Sequence, residues 1–344
     1  MPLYLLRFAA TVLVLVAAYL GIVLFLRAPI GAEYFVREMM VVKRDQAAAL
    51  ASPKIVFLGG SSTLLSIDAK AVARALNLPA ENFGLHASMR LEWLLAEADR
   101  MMRSGDALIL VLEHNYYDCD GGAWDDWQLR NALAWHRDDF DRLASWRRIE
   151  IALTTAKTPS LALELVGAEL AMITRPQTLA RRVEALAPAA EILARYRSDR
   201  LRTQTFAYSA FNLDDSGDLL NNDGAFFAGR GDPSRPGRIC STVADTLRGF
   251  VAAMRGRGVR VLVAHVPYAV EPETAIGWQD AETLFAAGIA DIGSELLDRR
   301  DELFLPARFF FDTSLHLNAA GRTIRTERLI ADLSSRGIGK PAPR

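Results

Sequence analysis

At 344 residues and 51% hydrophobic, the chain can bury a sizeable core and is too apolar to remain disordered. Its 40 basic and 41 acidic residues leave a net charge of −1, which excludes a global electrostatic attraction to nucleic acid. The two cysteines, Cys119 and Cys240, make no metal or redox motif. They read as two unbonded thiols, with pairing in an oxidising compartment as the alternative.

Residues 8–26 carry no charge and are almost entirely apolar, about long enough to cross a bilayer core, and Arg7 and Arg27 bracket them. No small-x-small cleavage site comes after it, so the stretch reads as an uncleaved signal anchor, with a buried helix as the alternative. Positive charges are nearly tied on its two sides and assign no orientation. Residues 1–30 are expected to form the membrane anchor and 31–53 a polar helical stalk ended by Ser52-Pro53. An α/β domain is expected over 54–336, with a helical insertion at about 128–204 and a tail over 337–344.

Within that domain, Ile55 to Leu58 is a short apolar run, the pattern of a strand buried on both faces. It stops at Gly59-Gly60, and Ser61 and Ser62 precede a helix expected over Ile67 to Leu76. A hydroxyl between a buried parallel strand and a helix lies at the carboxyl edge of the sheet, where open α/β folds place their sites. A plain turn with serine caps is the alternative. Asn82-Phe83-Gly84 reads as a strand end, Leu91 to Arg103 as a helix, and Ala107 to Leu112 as a second buried strand. Glu113-His114-Asn115 lies just beyond it, on the same edge as Ser61.

Immediately downstream, Tyr116, Tyr117, Asp118, Asp120, Trp124, Asp125, Asp126, Trp127 and Trp135 interleave aromatic rings with carboxylates. Rings stack on sugar C–H faces while acids accept hydroxyls, so Tyr116, Tyr117, Trp124 and Trp127 are candidate substrate contacts, with core filling as the alternative. Residues 128–204 show helix-like stretches broken at Pro159, Pro176 and Pro188. Seven arginines between Arg175 and Arg202 exceed the acids there by four, which reads as a solvated face or as contact with an anionic lipid or polymer. Asp214, Asp218 and Asp223 lie in a loop whose composition is turn chemistry rather than a calcium motif. Helices are expected over Thr242 to Arg255, Ala281 to Leu297 and Ala319 to Leu333, and strands over Val259 to Val266 and Phe309 to Phe311. His265 reads as a core histidine. Asp312 and His316 come after the last of these strands, so a serine, an acid and a histidine occur in an order that can supply nucleophile, orienting carboxylate and base.

These blocks resemble the SGNH (GDSL-type) hydrolases, a family named for Ser, Gly, Asn and His in four separated blocks. Ser61 matches the nucleophile, Gly84 the second block, Asn115 the third, and His316 with Asp312 the last. Gly60 stands where the family usually has an acid, Glu113 stands where it has glycine, and Asp312 and His316 are one residue further apart than is common. The resemblance implies a flavodoxin-like, doubly wound parallel sheet. It also implies catalysis by Ser61, His316 and Asp312, with Gly84 and Asn115 in the oxyanion hole and neither cofactor nor metal. Ser62 is the other candidate nucleophile. The abundance of arginine over lysine and of alanine reads as a bacterial chain, and residues 8–26 as its single pass of the inner membrane; the resemblance implies that the domain lies outside the cytoplasm. The implied chemistry is transfer of an acyl group, acetyl first, to or from an envelope polysaccharide, beside a multi-pass membrane O-acyltransferase. A membrane-surface lipase or thioesterase and a non-catalytic assembly subunit are the alternatives.

Overall fold

A computed structural model describes residues 2–119, 124–155, 160–200, 202 and 205–339. Asp120, Pro159 and residues 340–344 of the expected tail lie outside the described residues. The chain opens with α1 (Pro2–Phe25) and α2 (Tyr34–Ala49). Then come β1 (Ile55–Gly59), α3 (Ser61–Ser66), α4 (Ala69–Leu76), β2 (Ala80–Gly84), α5 (Leu91–Met101) and β3 (Ala107–Val111). Next are helices α6 (Asp126–Trp135), α7 (Arg137–Arg142), α8 (Ser145–Thr154), α9 (Ser160–Thr174), α10 (Ala180–Ala185) and α11 (Ala189–Asp199). The last part holds α12 (Ser241–Gly256), β4 (Arg260–Val263), β5 (Tyr268–Ala269), α13 (Trp278–Asp291), β6 (Glu295–Leu296), β7 (Phe304–Leu305) and α14 (Ala319–Ser335).

Two compact units divide these elements, one made of Met1–Arg37 with Ala123–Ile192 and the other of Glu38–Gly122 with Leu193–Arg344. The second unit contains the sheet, in the order β2-β1-β3-β4-β6 with every pair parallel. β1 and β3 are buried along their whole length, as continuous apolar runs in a parallel sheet must be. β5 and β7 form a separate parallel pair. The core gathers Phe57, Ile109, Val111, Leu262, Leu329 and Leu333 from the sheet and α14.

Three expectations change here. The polar stalk expected over 31–53 is helical as α2, but it is not a polar spacer, because Met39, Met40, Val41, Val42 and Ala47 are buried. Lys43 is buried as well, its Nζ donating to Asn82 O at 2.6 Å and to Gly217 O at 2.7 Å. Phe309 to Phe311 is not a sheet strand: Ala307–Phe309 is a 3-10 turn and Phe310 makes only an isolated antiparallel bridge with Leu317. The fifth strand is instead the two-residue β6, which begins four residues after α13 ends, where a helix was expected to run on to Leu297.

The other unit is helical among its described residues. α1 is long and apolar enough to cross a membrane. Its last turns pack against α8 and α9, with Tyr19 Oη donating to Ala152 O at 2.9 Å.

Candidate active site

The sheet register explains why the site forms. Gly59, the last residue of β1, pairs with Gly84 of β2 and Val111 of β3, so three strands end level. The segments leaving these strands therefore gather at one carboxyl edge, the usual place for a site in a parallel sheet. After β1 the chain turns straight into α3, whose first residue is Ser61, rather than running on as a loop to Ala69. A Cβ on Gly60 would lie 2.6 Å from both carboxylate oxygens of Glu113 and 2.7 Å from Ala87 Cα, so only glycine fits there. Gly84 is required for a similar reason, since a Cβ would meet Leu64 N at 2.2 Å.

Ser61 Oγ lies 2.8 Å from His316 Nε2. On the other side of the ring, Nδ1 lies 2.7 Å from Asp312 Oδ1. An ionised carboxylate only accepts, so this contact assigns the proton to Nδ1 and leaves Nε2 to accept from Ser61. A short loop makes the pairing: Phe311 N donates to His316 O, and the Phe310–Leu317 bridge brings the two ends together. The extra residue between Asp312 and His316 is thereby absorbed. Asn318 then caps α14, accepting from Gly321 N at 3.0 Å. Ser61 and His316 are half-buried and Asp312 is exposed, so the array is open to a ligand.

Ser62, by contrast, is fully buried and its Oγ donates to Leu315 O at 2.9 Å. Its hydroxyl ties the histidine loop to α3 and is not presented to the imidazole.

Two side chains at the site have roles the sequence did not signal. Glu113, buried just past β3, accepts from Gly60 N at 3.1 Å and from Ser62 N at 2.7 Å. Burial pushes its carboxyl above the usual range, while the Ser62 and Gly60 amides and the nearby His316 pull the other way. Tyr208 Oη donates to Asp312 Oδ2 at 3.0 Å and lies 3.3 Å from His316 Nδ1. Burial raises the Asp312 carboxyl, but hydrogen bonds and charge from His316, with Tyr208, outweigh it and hold the group below its ordinary value. Burial, reinforced by Asp312, pushes the Tyr208 phenol well up, so it stays a donor.

The oxyanion side differs from expectation. Gly84 N–H donates to Asn82 Oδ1 at 2.9 Å, inside the sheet edge, and so is not presented to the Ser61 hydroxyl. Asn115 Nδ2 donates to Ala87 O at 2.9 Å with one of its two hydrogens. The backbone N–H groups of Ser61 and Ala87 have no acceptor among the described residues.

Of the candidate substrate contacts, Tyr116 and Tyr117 are core residues. Tyr116 Oη donates to His86 O at 3.2 Å, and Tyr117 packs edge-on against Phe285. Trp124 and Trp127 belong to the helical unit, where Trp124 packs edge-on against Phe140. The aromatic surface beside Asp312 is a different one: Phe206 packs on Tyr208 and Phe311, and Phe226, 74% exposed, packs on Phe311. His265 is a core residue as expected, buried at 2% exposure beside Glu282. The cysteines depart from expectation, for Cys119 and Cys240 form a disulfide. Cys240 N donates to Tyr117 O at 2.9 Å, so the backbone already brings the two segments together.

No protein-family model matches the sequence, and no curated protein matches it significantly.

Proposed function

We propose that the chain is an SGNH-type acyl-ester enzyme, and the observation that carries this reading is the continuous array Ser61 Oγ, His316 Nε2, His316 Nδ1 and Asp312 Oδ1. The sheet order supports it, being that of flavodoxin-like doubly wound folds once the five strands are numbered among themselves. So does the pair of departures from the family pattern. The acid usually found before the nucleophile is absent at Gly60, and the glycine usually found in the third block is Glu113, whose carboxylate fills the space Gly60 leaves. The two residue types have exchanged places while an acid stays beside the nucleophile turn.

In this reading Ser61 Oγ attacks the ester carbonyl carbon and its proton passes to His316 Nε2. The tetrahedral oxyanion is met by the Ser61 and Ala87 N–H groups and the second hydrogen of Asn115 Nδ2. Collapse breaks the ester C–O bond, and His316 returns the proton to the departing alcohol, leaving acyl-Ser61. An acceptor hydroxyl, or water, then gives its proton to His316 as it attacks the acyl carbon; the acyl C–Oγ bond breaks and His316 returns the proton to Ser61 Oγ. Asp312 and Tyr208 hold the imidazole in the tautomer that both half-reactions need.

The acceptor is an envelope polysaccharide, a reading that rests on the resemblance and on the exposed ring of Phe226 beside Phe311, where a sugar C–H face can stack. A location outside the cytoplasm is supported by the apolar N-terminal helix and by the Cys119–Cys240 disulfide, since such bonds persist in oxidising compartments. A multi-pass membrane O-acyltransferase is the partner that would supply acyl groups. The test is Ser61→Ala in the full chain, read as hydrolysis of a chromogenic acetyl ester and as polymer acyl content in cells. Both readouts should fall by orders of magnitude. Folding should change by no more than about 1 kcal/mol, a hydrogen bond's worth. An unchanged rate and unchanged acylation would refute nucleophilic catalysis by Ser61.

A further inference from the structure

Within the helical unit, α8 and α9 each turn an apolar stripe outward. On α9 the stripe is Leu163, Val166, Leu170 and Ile173, with exposures of 73%, 44%, 58% and 82%. Spacings of three, four and three residues put these side chains on one helical face. On α8 it is Trp146, Ile149 and Leu153, again three and four apart. The acids of α9 point elsewhere: Glu164 accepts from Arg130 and from the Gly31 amide, and Glu169 accepts from the Arg27 and Ala28 amides at 2.8 Å. The outward stripe of α9 is therefore free of charge. Water leaves such a surface uncovered only at a cost, and contiguous apolar patches of this kind mark binding surfaces.

The dimensions of α1 indicate what covers it. The uncharged stretch between Arg7 and Arg27 is Phe8 to Leu26, 19 residues. At 1.5 Å per residue it spans about 28 Å, close to the roughly 30 Å of a bilayer's hydrocarbon core. Only Phe8 to Ala18, about 16 Å by the same rise, is wholly exposed. From Tyr19 to Leu24 the helix is part-buried in this unit, packed against α8 and α9, with Tyr19 bonded to Ala152. A bilayer thick enough to cover the uncharged stretch must therefore reach the level of α8 and α9. The chemistry at the stripe's ends fits a phospholipid headgroup layer: the Arg147 guanidinium lies 5.8 Å from the Trp146 ring centroid, and exposed Arg175 and Arg181 lie beyond the end of α9.

We propose that α8 and α9 form an interfacial membrane-embedding surface, with Trp146, Leu153, Leu163, Leu170 and Ile173 inserted among phospholipid headgroups and the adjoining acyl carbons. The proposal rests on α1 being a membrane span, and the experiment separates the two. The full chain, with its disulfide intact, is reconstituted in vesicles of phosphatidylcholine and phosphatidylglycerol. Single cysteines are introduced by Leu170→Cys, Ile173→Cys, Leu15→Cys and Asp245→Cys, each labelled with an environment-sensitive NBD maleimide. Probes at Leu170 and Ile173 should emit to the blue of the one at Asp245. They should be quenched more by lipids carrying a doxyl group near the headgroup than by those carrying it mid-chain. The probe at Leu15 should show the opposite preference, and the one at Asp245 no quenching. Quenching at Leu15 without quenching at Leu170 and Ile173 overturns the proposal and leaves the span standing. Absence of quenching at Leu15 as well overturns both. Blue-shifted but unquenched probes at Leu170 and Ile173 mean that protein covers the stripe, which also overturns the proposal.

Discussion

Glu113 offers a sharp test of how the turn that carries Ser61 is held. Its two carboxylate oxygens accept from two different buried amides, Ser62 N at 2.7 Å and Gly60 N at 3.1 Å, on either side of Ser61. Glu113→Gln keeps the shape of the side chain but turns one acceptor into a donor, so one of the two amides must face an NH₂ group. An orphaned buried donor costs about 1–3 kcal/mol. For 344 residues, at an unfolding entropy of about 2.1 cal/mol/K per residue, that is a fall of roughly 1–4 °C in the melting midpoint. Glu113→Ala leaves both amides without an acceptor, about 2–6 kcal/mol in gross terms. Removing a buried charge relieves part of that, because burial already pushes the Glu113 carboxyl upward. Thermal melting of the full chain in detergent gives the first readout and chromogenic ester hydrolysis the second. Glu113→Gln should lower both, with Glu113→Ala lower still in melting. A Glu113→Gln protein that melts and turns over like the parent would mean that Glu113 is not an ionised double acceptor, and the clamp on Ser61 would be withdrawn.

Two further expectations come from the geometry. The Asp312 anion is favoured by His316 and Tyr208, so its contribution is complete above the ordinary carboxylate pKa and is lost as the pH falls through the lowered folded value. Tyr208→Phe removes one of those hydrogen bonds and should move the acid-side loss of stability to higher pH, and an acid limb of the melting midpoint that stays in place would refute the role of Tyr208. The Cys119–Cys240 bond closes a separation of 121 residues, so Cys119→Ser with Cys240→Ser should cost about 2–5 kcal/mol of stability. Two reactive thiols in the unreduced, denatured parent would contradict it.

Much of the site was legible because its parts are local. Ile55 to Leu58 and Ala107 to Leu112 are continuous apolar runs that have no other reading beside Gly and Asn turns, and each became a buried central strand. The Asp312–His316 pair was visible as residue types, while its contact depended on a loop closed by the Phe310–Leu317 bridge. Phe309 to Phe311 misled because an aromatic run satisfies strand propensity wherever it packs. β6 escaped notice because two residues make no period, and one of them, Glu295, is exposed. Tyr208 was invisible for a different reason: it lies 104 residues from Asp312, in a stretch without regular structure. Tyr116 and Tyr117 looked like a sugar platform because a buried and an exposed tyrosine are identical in sequence. Pairing of two cysteines 121 residues apart is likewise a property of the folded chain alone.

The site brings together two parts with different tolerances. Ser61 sits on a datum fixed by three level strand ends, so its height above the sheet cannot drift without breaking paired backbone along β1. His316 hangs from a short loop located by one bridge, one cap, the bonds from Ser62 Oγ and Ser66 Oγ to Leu315 O, and the bond from Ala269 N to Ser314 O. Variation in the sheet core will therefore show as lost stability long before it shows as misalignment. Variation at Thr313, Ser314 or Leu315 will shift the His316 ring relative to the Ser61 hydroxyl while the sheet stays intact. That loop is where the geometry of this array can be retuned, by selection or by design, without rebuilding the sheet.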